Sequence, residues 1–188
     1  VIIGGFFAYK YLWLEHRAEK AGEAMFVAEQ MFMADSFDVA LNGDGNNDGF
    51  LQVIDNYGST TRGNIAKHYA GVCYMHLGDM DRALEYLSKY KASKGSPNTA
   101  INAQNIGLQG DIYIQKGEYG TAADKFLKAS QINNDVTTPY YLKKLGLAYA
   151  KQGKNAEAVA AYQRIADEFP TSMEARDIAK FIGQQEQK

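Results

Sequence analysis

The sequence predicts an all-α protein built from stacked pairs of antiparallel helices. Three observations support this prediction. The stretch from Lys143 to Pro170 has the apolar spacing of two helices joined by a tight turn. The same order of small, aromatic and turn residues returns around Gly71 and Gly110. Hydrophobic residues make up 46% of the 188 residues, which is typical of a folded chain and not of a disordered one.

The clearest repeat assigns a structural task to each of its marker residues. Gly146 and Ala158 lack bulk where the two helices would cross most closely, and Tyr162 would fill the layer between them. Gly153 can adopt the left-handed backbone conformation that ends a helix. Pro170 would then stop the second helix.

The repeat divides the chain into successive units. They are a degenerate first unit at 15–63, three regular units at 64–98, 103–136 and 139–172, and a capping helix with a polar tail at 173–188. In the first unit the run NGDGNNDG at 42–49 should interrupt the second helix as a surface loop. Tyr90 replaces a residue that is normally small, so we expect a slightly opened joint after the second unit.

Three helix starts carry capping signals. Asp79 is placed to cap the second helix of the second unit. Thr138 and Pro139 should cap and start the fourth unit. The residues from Thr171 to Glu174 form a capping box for the last helix.

This pattern resembles the tetratricopeptide repeat, in which Leu-Gly, Tyr, Gly, Ala, an aromatic residue and Pro recur within 34 residues. The resemblance extends from about residue 18 to residue 186. It implies a right-handed superhelical solenoid of about four helix pairs plus a capping helix. It also implies a non-enzymatic adaptor that binds segments of other proteins.

Composition and motifs exclude several other classes of function. Twenty basic and 22 acidic residues give a net charge of −2, which provides no basic surface for nucleic acid. No nucleophile elbow, phosphate loop or dinucleotide fingerprint occurs, so neither catalysis nor a cofactor is predicted. Cys73 is interpreted as a buried small apolar residue. His68 lies five residues from Cys73, on a different helix face, and Cys73 with His76 would supply only two metal ligands.

The N-terminal segment 1–14 is the compositional anomaly. It is apolar apart from Lys10 and includes Tyr9, Tyr11 and Trp13 before a charged run begins at Glu15. Fourteen residues are too few to cross a bilayer, which needs roughly 20. The order of apolar, aromatic and charged residues is typical of the end of a membrane helix. We expect the last part of a membrane anchor that begins before this segment. The alternative is an amphipathic helix that packs on the repeats or on a second copy of the chain.

A narrower resemblance combines this segment with the ALNGDGN insertion and the sequence GFLQVIDNYGST. Together they resemble the single-pass bacterial proteins related to the ancillary subunit of the Sec translocon, especially the forms found in Bacteroidetes-type bacteria. That resemblance implies an inner-membrane location with the repeats in the periplasm. It also implies partners among translocon components or envelope chaperones.

The tetratricopeptide resemblance further implies a peptide groove on the first helix of each repeat. Its candidate residues are Met25, Phe26, Phe32, His68, Tyr69, Met75, His76, Gln104, Leu108, Asp111, Gln115, Tyr140, Lys143, Lys144 and Lys151. One end is rich in Met and Phe and could adapt to varied apolar side chains. The other end is rich in lysine and could meet an acidic segment. The alternative is that the anchor helix fills the Met/Phe end and that the lysines form a solvated face. Leu147 stands where a chaperone-binding clamp would need Asn, so that clamp is absent.

The segment 44–55 matches the spacing of an EF-hand calcium loop, with Asp55 in the place of the usual final Glu. Asp55 also corresponds to Asp167 of the fourth unit, which has no such loop. Gly and Asn are ordinary residues of tight turns. A turn is therefore the favoured interpretation, and a calcium-stabilised loop is the alternative.

Overall fold

The computed structural model describes residues 2–92, 99–132 and 134–187, and the regular elements in these ranges are all helices. The chain forms two compact units that are larger than the sequence repeats. The first unit is Val1–Lys91 and the second unit is Ala92–Lys188. The all-α prediction is confirmed.

The first unit contains five helices. They are α1 (Ile2–Met33), α2 (Phe37–Asn42), α3 (Phe50–Tyr57), α4 (Thr61–His76) and α5 (Met80–Lys89). Helix α1 contacts α2, α3 and α4, and α4 packs against both α3 and α5. After α5 the chain is tied back to α4, because the Asn64 side chain donates to the Lys91 carbonyl at 2.8 Å and accepts from its amide at 2.9 Å.

Helix α1 runs without interruption for 32 residues, from the apolar N-terminal segment into the first repeat. Ala21, Met25 and Ala28 are buried along one stripe, as their spacing predicts. Ala18, which the same helical spacing would place on this stripe, is exposed. In the described part of the chain, no helix combines the length and the apolar character needed to cross a membrane.

The second unit contains two helical hairpins and a C-terminal cap. Its elements are α6 (Thr99–Gln115), α7 (Tyr119–Ser130), α8 (Thr137–Lys151), α9 (Asn155–Glu168), a 3₁₀ turn (Glu174–Arg176) and α10 (Ile178–Glu186). Helix α7 packs between α6 and α8, and α9 packs on α8 and α10. The core of this unit is centred on buried residues that include Phe126, Leu142, Tyr162 and Ile165.

Glycines permit close approaches between helices in both units. A Cβ added to Gly71 would lie 2.6 Å from Leu87 Cγ, and one added to Gly110 would lie 2.6 Å from Phe126 Cε1. In each pair the large residue follows the glycine by 16 residues. The same two positions of the repeat therefore meet in both helical hairpins. The predicted role of the glycines at this position of the repeat is confirmed.

The turn and cap predictions have mixed outcomes. Gly153 has a φ of +72°, in the left-handed region that the sequence predicts. Asp79 caps α5 by accepting from the Arg82 amide at 3.0 Å. The prediction for Thr138 is wrong, because the Asn134 side chain accepts from the amides of Val136, just before α8, and Thr137, its first residue. Thr138 Oγ1 instead donates to the Ile132 carbonyl at 3.2 Å.

The C-terminal helix also begins later than its capping box predicts. Ser172 Oγ accepts from the Ala175 amide at 3.2 Å and so caps the 3₁₀ turn, while α10 starts only at Ile178. Ile178 is buried, and the Phe181 ring lies 5.6 Å from the ring of Tyr162. The predicted opening of the joint after Tyr90 falls on residues 93–98, which lie outside the described residues.

Candidate functional site

The candidate site of the second unit is a trough between α6 and α8. One cavity of about 380 Å³, here the Tyr140 cavity, is lined by Ala100, Gln104, Leu108, Asp111, Val136, Thr137, Tyr140, Tyr141 and Glu174. A second cavity of about 450 Å³, here the Leu147 cavity, is lined by Asp111, Ile114, Tyr119, Phe126, Lys144, Leu147 and Lys151. Asp111 lines both cavities, so they adjoin.

The trough follows from helical spacing. Gln104, Leu108 and Asp111 recur on α6 at intervals of four and three residues, which places them on one face. On α8 the lining residues from Tyr140 to Lys151 follow the same rule. The N-terminal parts of both helices line the Tyr140 cavity and their C-terminal parts line the Leu147 cavity, so α6 and α8 run in the same direction along the trough.

An ion pair crosses the trough where the two cavities meet. Lys144 Nζ lies 2.7 Å from both carboxylate oxygens of Asp111 and 4.7 Å from the ring centroid of Tyr140. Burial by itself would lower the pKa of Lys144, but its interactions with Asp111 and Tyr140 outweigh burial and raise that pKa above its ordinary value. Lys144 therefore stays charged at neutral pH, and its ion pair with Asp111 joins α6 to α8.

The lysine-rich end does not offer the three available cations that the sequence suggests. Lys144 is paired with Asp111, and Lys143 Nζ lies 2.7 Å from Asp177 Oδ1, with the ring of Phe181 4.6 Å away. Lys143 therefore contacts the C-terminal cap and does not line the trough. Lys151 is exposed, and no carboxylate among the described residues lies within ion-pair distance of it. The sequence suggests that Lys143 and Lys144 bind a carboxylate of a partner protein. In the structure both lysines instead pair with carboxylates of this chain.

The structure brings together most of the predicted groove residues of the second unit. Gln104, Leu108, Asp111 and Tyr140 line one cavity, and Lys144 and Lys151 line the other. The exposed Gln115 lines neither of these two cavities.

Sequence reasoning missed other parts of this surface. Val136 and Thr137 belong to the start of α8, Phe126 to the second helix of a hairpin, and Glu174 to the 3₁₀ turn. The rule that only first helices line the groove excludes Phe126 and Glu174. No signal in the repeat pattern could have identified Glu174, since it lies beyond the last repeat.

Two predicted groove residues of the first unit are wrong. Met25 is fully buried and His68 is only 3% exposed, so neither offers a surface to a partner. Burial lowers the pKa of His68 to about 4. Both point into the helix packing because α1 and α4 are covered by the other helices of the unit.

The remaining Met and aromatic candidates of the first unit differ in exposure. The Phe32 ring lies 5.0 Å from that of Tyr69, and Tyr69 stacks on Phe50 at 5.0 Å. His76 is exposed and stacks on Phe37 at 3.9 Å, and Met75 is half-buried. Phe26 is 60% exposed. Phe32, Phe37, Phe50, Tyr69 and His76 form an aromatic cluster, which is exposed at His76.

Within the loop 43–49, the Asp44 carboxylate is hydrogen-bonded by neighbouring residues of the same loop. The Asp44 carboxylate accepts hydrogen bonds from the amides of Asn46 and Asn47 and from the Asn47 side chain, at 2.7 to 3.2 Å. These bonds, of which that from the Asn47 side chain has the largest effect, lower the pKa of Asp44. Gly43 and Gly45 have φ of +81° and +90°, so the loop has the geometry of tight turns. Across the described ranges, no group of three or more His, Cys, Asp or Glu side chains is arranged to hold a metal.

Known families and structures match the repeat regions. Residues 66–93 and 144–172 match the family model described as tetratricopeptide repeat, and residues 110–153 match the model described as TPR repeat. No curated protein matches the chain.

Solved structures match over most of the chain. A crystal structure of MamA protein is 20% identical with a TM-score of 0.68, covering 90% of this chain and 82% of that one. A crystal structure of nearly identical TPR-like repeats, described as a Podosopora anserina kinesin light chain, is 13% identical with a TM-score of 0.66, covering 90% of this chain and 87% of that one. These likenesses show the fold.

Proposed function

We propose that this chain, which contains tetratricopeptide repeats, is a non-enzymatic adaptor that binds a segment of another protein in the trough between α6 and α8. The observation that carries the proposal is the pair of adjoining cavities on either side of the Asp111–Lys144 ion pair. A trough of two adjoining cavities with largely apolar walls suits an extended or helical segment better than a small polar ligand.

The walls of the trough support this assignment. Tyr140 and Leu147 are each 43% exposed, although both are large apolar side chains on a well-packed helix. Phe126 forms part of the Leu147 cavity while remaining only 1% exposed, so the cavity has a fixed apolar wall. Burying one aliphatic side chain of a partner there would contribute about 1.5 to 3 kcal/mol.

A photo-crosslinking amino acid at position 140 tests the trough. We expect covalent adducts with partner proteins from position 140 and none from position 163, because Gln163 is exposed on α9 and lines neither cavity. Leu147→Arg should abolish the adducts from position 140 by placing a charge in the apolar cavity. Adducts that persist in Leu147→Arg, with the fold intact, would refute binding in the trough.

We further propose that the N-terminal part of α1 tethers the protein to a membrane. Tyr9, Tyr11, Leu12, Trp13 and Leu14 are between 46% and 71% exposed. At roughly 100° per residue, these five side chains point in all directions around the helix. A helix that is apolar all round is normally surrounded by lipid or by protein.

The exposed segment is joined rigidly to the first unit. Helix α1 is continuous, and the Arg17 side chain donates to the Asn56 carbonyl next to α3's last residue, Tyr57. The Arg17 guanidinium also lies 4.9 Å from the Trp13 ring centroid and 5.6 Å from that of Tyr57. A tether of this kind would hold the repeats close to the membrane surface. With the narrower sequence resemblance, it leads us to propose an inner-membrane adaptor that faces the periplasm and serves protein translocation, folding or assembly in the envelope.

The second candidate function is a structural module that associates with itself through the same apolar segment. Trp13 is the only tryptophan of the chain, so its fluorescence separates the two candidates. The tether predicts a blue shift when lipid vesicles are added at constant protein concentration. Self-association predicts a blue shift with rising protein concentration in the absence of lipid. If this concentration-dependent shift occurs and lipid vesicles cause no shift, the tether is refuted.

A further inference from the structure

We propose that the trough selects segments by charge pattern: apolar side chains flanked by an acidic residue at one end and a basic residue at the other. This inference rests on the proposed function and specifies its ligand. It follows from the charges that remain at the two ends of the trough once the internal ion pairs are accounted for.

The Leu147 cavity has an excess positive charge. Its charged lining residues are Asp111, Lys144 and Lys151. Asp111 and Lys144 neutralise each other at 2.7 Å. Lys151 is exposed at the end of α8 and has no ion-pair partner among the described residues. A segment lying in this cavity would therefore gain most from a carboxylate beside Lys151.

The Tyr140 cavity has an excess negative charge. Its charged lining residues are Asp111, which Lys144 neutralises, and Glu174. No cation of the described chain lies within ion-pair distance of Glu174, and Lys143 pairs with Asp177. The amides of Val136 and Thr137 do not donate to the Glu174 carboxylate, because both donate to Asn134 Oδ1. A cationic side chain is the complementary group at this end.

The spacing of the two cavities sets the spacing of the apolar anchors. Tyr140 and Leu147 lie two turns apart on α8, about 10 Å along the helix axis. Three residues of polyproline II span about 9.3 Å and bring the first and fourth side chains to the same side. Two leucines three positions apart can therefore occupy both cavities, with the charged residues outside them.

Three capped, fluorescein-labelled peptides test this charge pattern by anisotropy. They are Glu-Leu-Pro-Pro-Leu-Lys, the diacidic Glu-Leu-Pro-Pro-Leu-Glu and the dibasic Lys-Leu-Pro-Pro-Leu-Lys. The comparison does not depend on the direction in which a peptide lies. The native protein should bind the mixed-charge peptide about threefold or more tightly than either other peptide at low salt. The preference should shrink as salt is added.

Charge reversals should exchange the preferred peptide. Lys151→Glu should favour the dibasic peptide and Glu174→Lys the diacidic one, because each variant makes both ends of the trough alike. The double variant Lys151→Glu with Glu174→Lys should again prefer the mixed-charge peptide. Lys128→Glu is the matched control, since Lys128 is exposed on α7, lines neither cavity and should leave the preference unchanged.

The outcomes separate this inference from the proposed function. If all three peptides bind equally and Leu147→Asp weakens all of them, the trough binds segments but the charge inference is overturned. If no peptide binds while position 140 still crosslinks to a partner, the charge inference is again overturned. If the peptides do not bind and position 140 gives no adducts, the proposed function fails as well.

Discussion

Gly146 on α8 lies directly against the ring of Tyr162 on α9. A Cβ added to Gly146 would come within 2.2 Å of Tyr162 Cε1. Tyr162 is fully buried in the core of the second unit, so its ring has no free space to move into. The absence of a side chain at Gly146 therefore sets how closely α8 and α9 can pack.

Gly146→Ala should destabilise the protein. The added methyl group must displace a buried ring, and overpacking of this kind costs about 1 to 3 kcal/mol. Gly183→Ala is the control, because Gly183 lies within α10 and a Cβ there would meet nothing within 4 Å. That substitution should be neutral or slightly stabilising, since Ala is the better helix former. Urea unfolding of the three proteins measures the effect, and equal midpoints would contradict the packing argument.

The burial of His68 predicts a pH-dependent stability. Burial lowers its pKa to about 4, whereas an unfolded His titrates near 6.5. Between these values the unfolded chain binds the proton and the folded chain does not, so folding stability falls as pH decreases from about 6.5 to 4. The loss attributable to His68 is on the order of 3 kcal/mol.

Unfolding free energies measured across this pH range test the prediction. His68→Leu should flatten the dependence relative to the native protein, because the buried imidazole is then absent. Parallel pH curves for native protein and His68→Leu would show that His68 contributes nothing to the dependence.

Cys73 should be unreactive in the folded protein. It is fully buried, and burial raises the pKa of its thiol to about 12, which leaves very little of the reactive thiolate at neutral pH. Labelling with a thiol reagent should occur only in denaturant. Ser88→Cys provides an exposed comparison on α5 and should react at once. Rapid labelling of native Cys73 would indicate that α4 opens readily.

Calcium should not stabilise the loop at 43–49. The Asp44 carboxylate already accepts hydrogen bonds from Asn46 and Asn47, so a cation would compete with these donors for its oxygens. Thermal melts in excess calcium and in excess chelator should coincide. A melting temperature that rises with calcium and returns with chelator would instead favour the EF-hand interpretation.

Local rules account for the parts of the fold that the sequence predicts correctly. Asp79 could be identified as a cap because it lies beside the helix that it caps, and Gly153 because a left-handed turn residue is needed at that point. The repeat pattern points to Thr138 as the cap of α8, but Asn134, four positions earlier, accepts from the amides of Val136 and Thr137 instead. Met25 and His68 were misplaced because the repeat register does not show which residues the irregular first unit covers.

The linear chain is sufficient to specify the helical repeats, since Gly71, Gly110 and Gly146 each precede their large partner by 16 residues and such spacing can be counted without a structure. The charges that remain available in the trough depend instead on packing between distant segments. Lys144 meets Asp111, 33 residues away, and Lys143 meets Asp177, 34 residues away. These contacts form only when hairpins and cap pack together. For that reason Lys151 and Glu174, and not the adjacent lysines, define the charges at the two ends of the trough.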